Sequence, residues 1–128
     1  MPTLPWVTHA PVEPDRTYVV MYTRLPLHKY RSIPGFLLET ERIRRQLQTT
    51  DGLVGYSLKT DLPHRRFFTM SAWADEASLR RFTGTEPHRS VMRRLQDRMG
   101  ETRFTQLSAP GTVVPPRWHD ALVALGDG

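Results

Sequence analysis

The chain has 128 residues, no cysteine and a formal net charge of +5, from 18 basic against 13 acidic residues. That length suits one domain with a real core. The absent cysteine excludes disulfides, thiolate metal sites and a cysteine nucleophile, and with nothing arguing for secretion a cytoplasmic protein is expected. The basic excess is almost all arginine, scattered over several segments with Lys29 and Lys59 as the only lysines, so a nucleic-acid partner is not expected. The first residues lack the basic and apolar regions of a leader, and no apolar run is long enough to span a bilayer, so no membrane partner is expected either.

Pro2, Pro5, Pro11 and Pro14 keep regular structure out of the N-terminus, and residues 1–16 read as an extended arm. "TYVVMYTR" (17–24) is rich in β-branched and aromatic residues and predicts a first strand, followed by the irregular "LPLHKYRSIP". From Pro34, a helix is marked by Phe36, Leu37, Ile43 and Leu47 with charges between them, and "TTDG" ends it. "LVGYSLKTDL" (53–62) and "RFFTMSAW" (66–73) flank a connection short enough for a hairpin. Helical pattern resumes after Asp75, a plausible cap, and is broken at Gly84 and Pro87, which predicts two helical pieces with a bend. In the second piece His88, Met92, Leu95 and Met99 fall on one line with Val91 beside it, so an imidazole occupies the apolar stripe. After Gly100, Phe104 and Leu107 mark a last strand, and residues 110–128 form a proline-rich tail ending in a short helix.

The order β, α, β, β, α, β over residues 17–109 predicts an α+β, ferredoxin-like fold: a four-stranded antiparallel sheet with its helices on one face. Both faces carry apolar residues. One set is read as Val19, Met21, Val54, Tyr56, Leu58, Phe68 and Met70, the other as Tyr18, Val20, Tyr22, Phe67 and Trp73. A sheet with one wet face alternates more cleanly, so helices are expected on one side and a second copy of the chain on the other, as a homodimer.

The runs "RRQLQTTDGLVGYSL", "RFFTMSAWADEASLRRF" and "EPHRSVMRRL" resemble the antibiotic-biosynthesis-monooxygenase-like superfamily of dimeric α/β barrels, in particular small monooxygenase-like and spheroidene-monooxygenase-like bacterial proteins. The most specific part is Trp73 at a strand end, Asp75 and Glu76 at a helix start, Leu79 and Phe82 as helix core, then Pro87 and His88. The resemblance implies the fold, a homodimer, and a pocket between helix and sheet for haem or a hydrophobic small molecule. It does not select one reaction, because that superfamily spans haem-dependent and cofactor-free oxygenases, cyclases and proteins without a known reaction.

His88 is the one histidine expected on a helix face that meets the sheet, whereas His9, His28, His64 and His119 fall in arm, loops or tail. A neutral imidazole there can ligate haem iron, act as a general base, or simply pack with its nitrogens satisfied. The resemblance implies the first role, with His88 as metal ligand, Trp73 and Phe67 against the macrocycle and arginines, Arg24 among them, on its propionates. Phe67, Thr69, Ser71 and Trp73 alternate onto one strand face, so an aromatic wall with hydroxyls is expected to line the same pocket, with Trp73 as a candidate catalytic group or as core. His28, Lys29, Tyr30 and Arg31 form a loop able to close over a pocket mouth. The chain has no asparagine, a residue that the resemblance associates with cofactor-free oxygenation, and this weighs against that reading. Paired metal ligands, a phosphate loop and a nucleophile elbow are all missing. The leading expectation is a monooxygenase-like oxidoreductase; the alternatives are a non-catalytic binding or interaction protein and a cofactor-free polyketide-type cyclase or isomerase.

Overall fold

The computed structural model describes residues 3–126. In chain order the elements are β1 (Val7–Thr8), β2 (Thr17–Pro26), α1 (Ile33–Leu47), β3 (Leu53–Asp61), β4 (Arg66–Trp73), α2 (Glu76–Thr83), α3 (His88–Leu95), β5 (Arg103–Pro110) and α4 (Trp118–Ala124). The strands form one antiparallel sheet in the order β1-β3-β4-β2-β5, so the expected four-stranded core carries one additional short edge strand, supplied by the arm. β2 runs two residues further than the sequence pattern suggests, and a single helical turn at Tyr30–Ser32 shortens the loop before α1.

The local signals operate as the chemistry requires. Asp75 caps α2 by accepting the Ser78 N–H at 2.7 Å, satisfying one of the donors that a helix start leaves unpaired. α2 ends at Gly84 and α3 starts at His88, which is the predicted break. The β3–β4 hairpin turns at Arg65, whose φ of 55° places it in the left-handed region.

Cross-strand register decides which side chains share a face, and it corrects the sequence reading of β4. Met21 lies opposite Ser71 and Tyr22 opposite Met70. Phe67, Thr69, Ser71 and Trp73 therefore share the helix side with Met21, Tyr56 and Leu58, whereas Phe68 and Met70 join Tyr18, Val20 and Tyr22 on the other side. Val54 also changes face, because the register between β3 and β4 shifts between Leu53 and Gly55 and the pleat loses its phase there.

The side away from the helices is closed by the chain itself. Val114, Ala121 and Leu125 of the tail pack on Tyr18, Val20, Phe68 and Ala72, with Trp6 and Val12 of the arm completing the cluster. Arm and tail meet at Ser57, which is 1% exposed: its hydroxyl donates to the Leu4 carbonyl at 2.5 Å and accepts the Trp118 indole N–H at 3.0 Å. Gly55 permits this closure, since a side chain there would start 2.5 Å from the Trp6 indole. The two apolar faces thus have an intrachain explanation, and the second copy expected to cover this face is replaced there by arm and tail.

Candidate functional site

On the helix side, packing is incomplete. A cavity of about 850 Å³ separates the sheet from α1, α2 and α3. Its floor is built in rows across the strands: Tyr56, Ser71 and Met21 in one, Leu58, Thr69, Thr23 and Phe104 in the next. Aliphatic and aromatic side chains form most of the walls, among them Phe36, Ile43, Val91 and Leu95. Phe67 belongs to the floor and stacks against Phe36 with ring centroids 4.3 Å apart.

His88 lines this cavity from the first turn of α3. Its Nδ1 lies 3.1 Å from the Thr83 carbonyl oxygen; a carbonyl only accepts, so the ring proton sits on Nδ1 and Nε2 keeps its lone pair. Among the described residues Nε2 has no hydrogen-bond partner. Burial pushes the imidazole below its ordinary 6.5, against a smaller opposite pull from the Thr83 carbonyl, so His88 is neutral at pH 7. Two contacts fix it: its ring lies 4.8 Å from the Phe82 ring, and its backbone N–H donates to Gln46 Oε1 at 3.1 Å. Gln46 also donates from Nε2 to the Phe82 and Thr85 carbonyls, both at 3.4 Å, so α1 holds the turn that presents the histidine.

Trp73 lies deeper, 1% exposed and 5.2 Å from Phe82. Its indole N–H donates to Ser71 Oγ at 2.9 Å, which spends its one polar group on the neighbouring strand position. Arg24, expected beside the pocket, is instead on the tail side. It falls in register with Phe68 and Arg103, one pleat out of phase with the cavity-facing Thr23. The expected loop over the mouth is also displaced: Tyr30 donates its hydroxyl to the Pro63 carbonyl at 2.6 Å under the Arg65 guanidinium, and residues 28–31 do not line the cavity. His9, His28, His64 and His119 are exposed, as expected of arm, loop and tail histidines.

Sequence reasoning missed the cation that does reach the cavity. Arg44 of α1 lies 35% exposed, with Nε 3.4 Å from the Tyr56 hydroxyl and Nη1 3.3 Å from Glu41 Oε2. Leu37, Thr40, Glu41 and Arg44 form a second helical stripe beside the apolar one, and its i, i+3, i+4, i+7 spacing was the available signal. Sequence reasoning also left Thr23 unassigned. Thr23 and Thr69 are cross-strand neighbours on the floor, and among the described residues neither hydroxyl has a hydrogen-bond partner.

A haem would need more than this site offers. His88 Nε2 suits an axial ligand, but Arg24 is on the wrong face for a propionate, which leaves Arg44, beside the acidic Glu41, as the one guanidinium among the described lining residues for two propionates. The residues present do not fit the group. Among the described residues no three His, Asp or Glu side chains converge on a possible metal position, and no helix is long and apolar enough to cross a membrane.

No family model and no curated protein matches the chain. Solved structures do. An antibiotic biosynthesis monooxygenase aligns with a TM-score of 0.65 at 15% identity, over 71% of this chain and 97% of that one. A mutant of a cofactor-independent oxygenase from Streptomyces nogalater aligns at 0.61 and 15% identity, over 72% and 92%. A conserved protein from Methanosarcina mazei aligns at 0.65 and 14%, over 73% and 94%. At such identities the likeness defines the fold: this chain has the ferredoxin-like α+β architecture of the antibiotic-biosynthesis-monooxygenase-like proteins.

Proposed function

We propose that the chain is a monooxygenase-like oxidoreductase that encloses a hydrophobic small molecule between its helix layer and sheet and uses His88 Nε2 as the base that takes a proton from it. The observation that carries this reading is a neutral imidazole, tautomer set by the Thr83 carbonyl, lining a cavity of about 850 Å³. Trp73 and Phe67 supply shape, and Ser71 holds the Trp73 indole in place. Thr23 and Thr69 offer hydroxyls to the polar atoms of a ligand. Deprotonation activates a carbon acid or phenol toward oxygen without a bound cofactor, in line with the cofactor-independent oxygenase from Streptomyces nogalater whose fold is similar. The same residues also serve a cyclase or isomerase, which needs no oxygen.

Oxygen uptake by the purified protein over a panel of phenols and carbon acids tests this. The reading requires uptake that falls at least a hundredfold in His88→Gln and survives metal chelation. Turnover that persists without oxygen would assign the isomerase chemistry, and equal activity in His88→Gln would remove the base. Hemin titration tests the haem role: a sharp Soret band lost in His88→Ala would reinstate it.

The protein is proposed to work in the cytoplasm as a homodimer. With the tail side closed, the cavity rim offers a surface for pairing, where Leu37 and Phe104 are 46% and 62% exposed and β5 is an open edge of the sheet. Light scattering that gives a monomer at micromolar concentration would rule this out.

A further inference from the structure

Building on the reading of the cavity as a small-molecule site, we infer that its ligand is an amphipathic carboxylate whose acidic group binds Arg44 at the cavity mouth. The charges of the lining lead there. Its described residues include two permanent cations, Arg44 and Lys59. Lys59 turns its ammonium to the tail side, 5.4 Å from the Trp118 ring. Arg44 remains as the cation facing the ligand. Its two contacts are long and use Nε and Nη1, so the guanidinium keeps N–H groups, Nη2 among them, for an incoming oxyanion.

The single acid among the described lining residues, Glu41, does not neutralise this group firmly. Its side chain is 51% exposed and 3.3 Å from Nη1, and an exposed pair of this kind is weak enough for a ligand carboxylate to displace. Tyr56 steadies the guanidinium from the floor side through its hydroxyl. The rest of the enclosure is mostly apolar, so an inorganic anion would leave it unfilled, whereas an apolar body tethered to one carboxylate would satisfy both parts. A cationic ligand would meet Arg44 with the wrong sign.

Two fluorescent dyes of similar shape separate the contributions: anionic anilinonaphthalene sulfonate, standing in for the carboxylate, and uncharged phenylnaphthylamine. The wild type should bind both, and Thr69→Phe, which fills the floor, should exclude both while retaining the native circular dichroism. Arg44→Met should weaken the anionic dye about tenfold and the neutral dye less than twofold. Glu41→Gln should tighten the anionic dye alone, and added salt should weaken it in the wild type but not in Arg44→Met. If both dyes enter the cavity and Arg44→Met affects them equally, the carboxylate anchor is wrong while the cavity reading stands. Failure of both dyes to bind the folded wild type, or indifference of both to Thr69→Phe, overturns the anchor and the cavity reading together.

Discussion

The two faces of the sheet are made from the same strands, yet one is packed shut and the other holds a cavity of about 850 Å³. On the shut face, Tyr18, Val20, Phe68, Met70 and Ala72 meet tail residues, and the Trp118 indole N–H donates to Ser57, whose hydroxyl donates in turn to the Leu4 carbonyl. On the open face, α1 and α3 pack at one end around Phe36, Phe67, Val91 and Leu95, while α2 packs at the other around Trp73 and Phe82. The floor between keeps two threonine hydroxyls unspent. A folded chain that leaves apolar volume and hydroxyls uncompensated on one side gives up stability there, and this is expected where a ligand completes the packing.

The contrast can be broken most sharply by truncation. Phe68→Ala on the shut face should cost about 3–5 kcal/mol in urea denaturation, because it empties close-packed volume. Leu58→Ala on the cavity floor should cost only about 1 kcal/mol, since that side chain already borders empty space. Equal costs would mean that the cavity is closed in solution. Ser57→Ala should fall between the two, at about 1–3 kcal/mol, by leaving the part-buried Trp118 N–H and Leu4 carbonyl without their partner.

A gentler effect concerns pH. Since burial lowers the His88 pKa, the unfolded chain binds the proton more readily than the folded one; this contribution to stability is complete above the ordinary value of 6.5 and is lost as pH falls through the lower folded value. Denaturation midpoints should therefore drop as pH falls below 6.5, and His88→Phe should flatten that part of the profile. Ligand that fixes the neutral imidazole should leave the onset of the drop in place and deepen it toward lower pH. The smallest effect is expected from Thr23→Val, which removes a hydroxyl without a protein partner: stability should move by less than about 0.5 kcal/mol. A larger loss would show that the hydroxyl is already in use.

Much of the fold was legible because the signals were local. Alternation in β2, β3 and β4, the Asp75 cap and the break before His88 each depend on neighbours within a few residues. Helical spacing put His88 on the apolar stripe of α3, and the structure has it lining the cavity. What sequence could not deliver was phase between strands. The β2–β4 register sets which β4 residues sit beside Met21, the shift between Leu53 and Gly55 sets the face of Val54, and one step of pleat separates Arg24 from the cavity. Nor does a proline-spaced arm advertise a two-residue strand, since β1 exists only because β3 offers it an edge. Arg44 was hidden for another reason: in sequence it is one basic residue of a charged helix, and only the fold withdraws it toward Tyr56.

The closure of the sheet by arm and tail also changes how the protein responds to dilution. A face covered by a separate subunit is bared as concentration falls, in proportion to the dissociation constant of the pair. Here the cover is tied to the strand it protects: β5 ends at Pro110, and Val114 is already seated in the cluster beneath. A tether that short holds the cover at an effective concentration of the order of millimolar or above, whatever the abundance of the protein. The apolar face is thereby kept out of contact with other chains even in a cell that makes very few copies, and the sheet that floors the cavity is backed by its own chain.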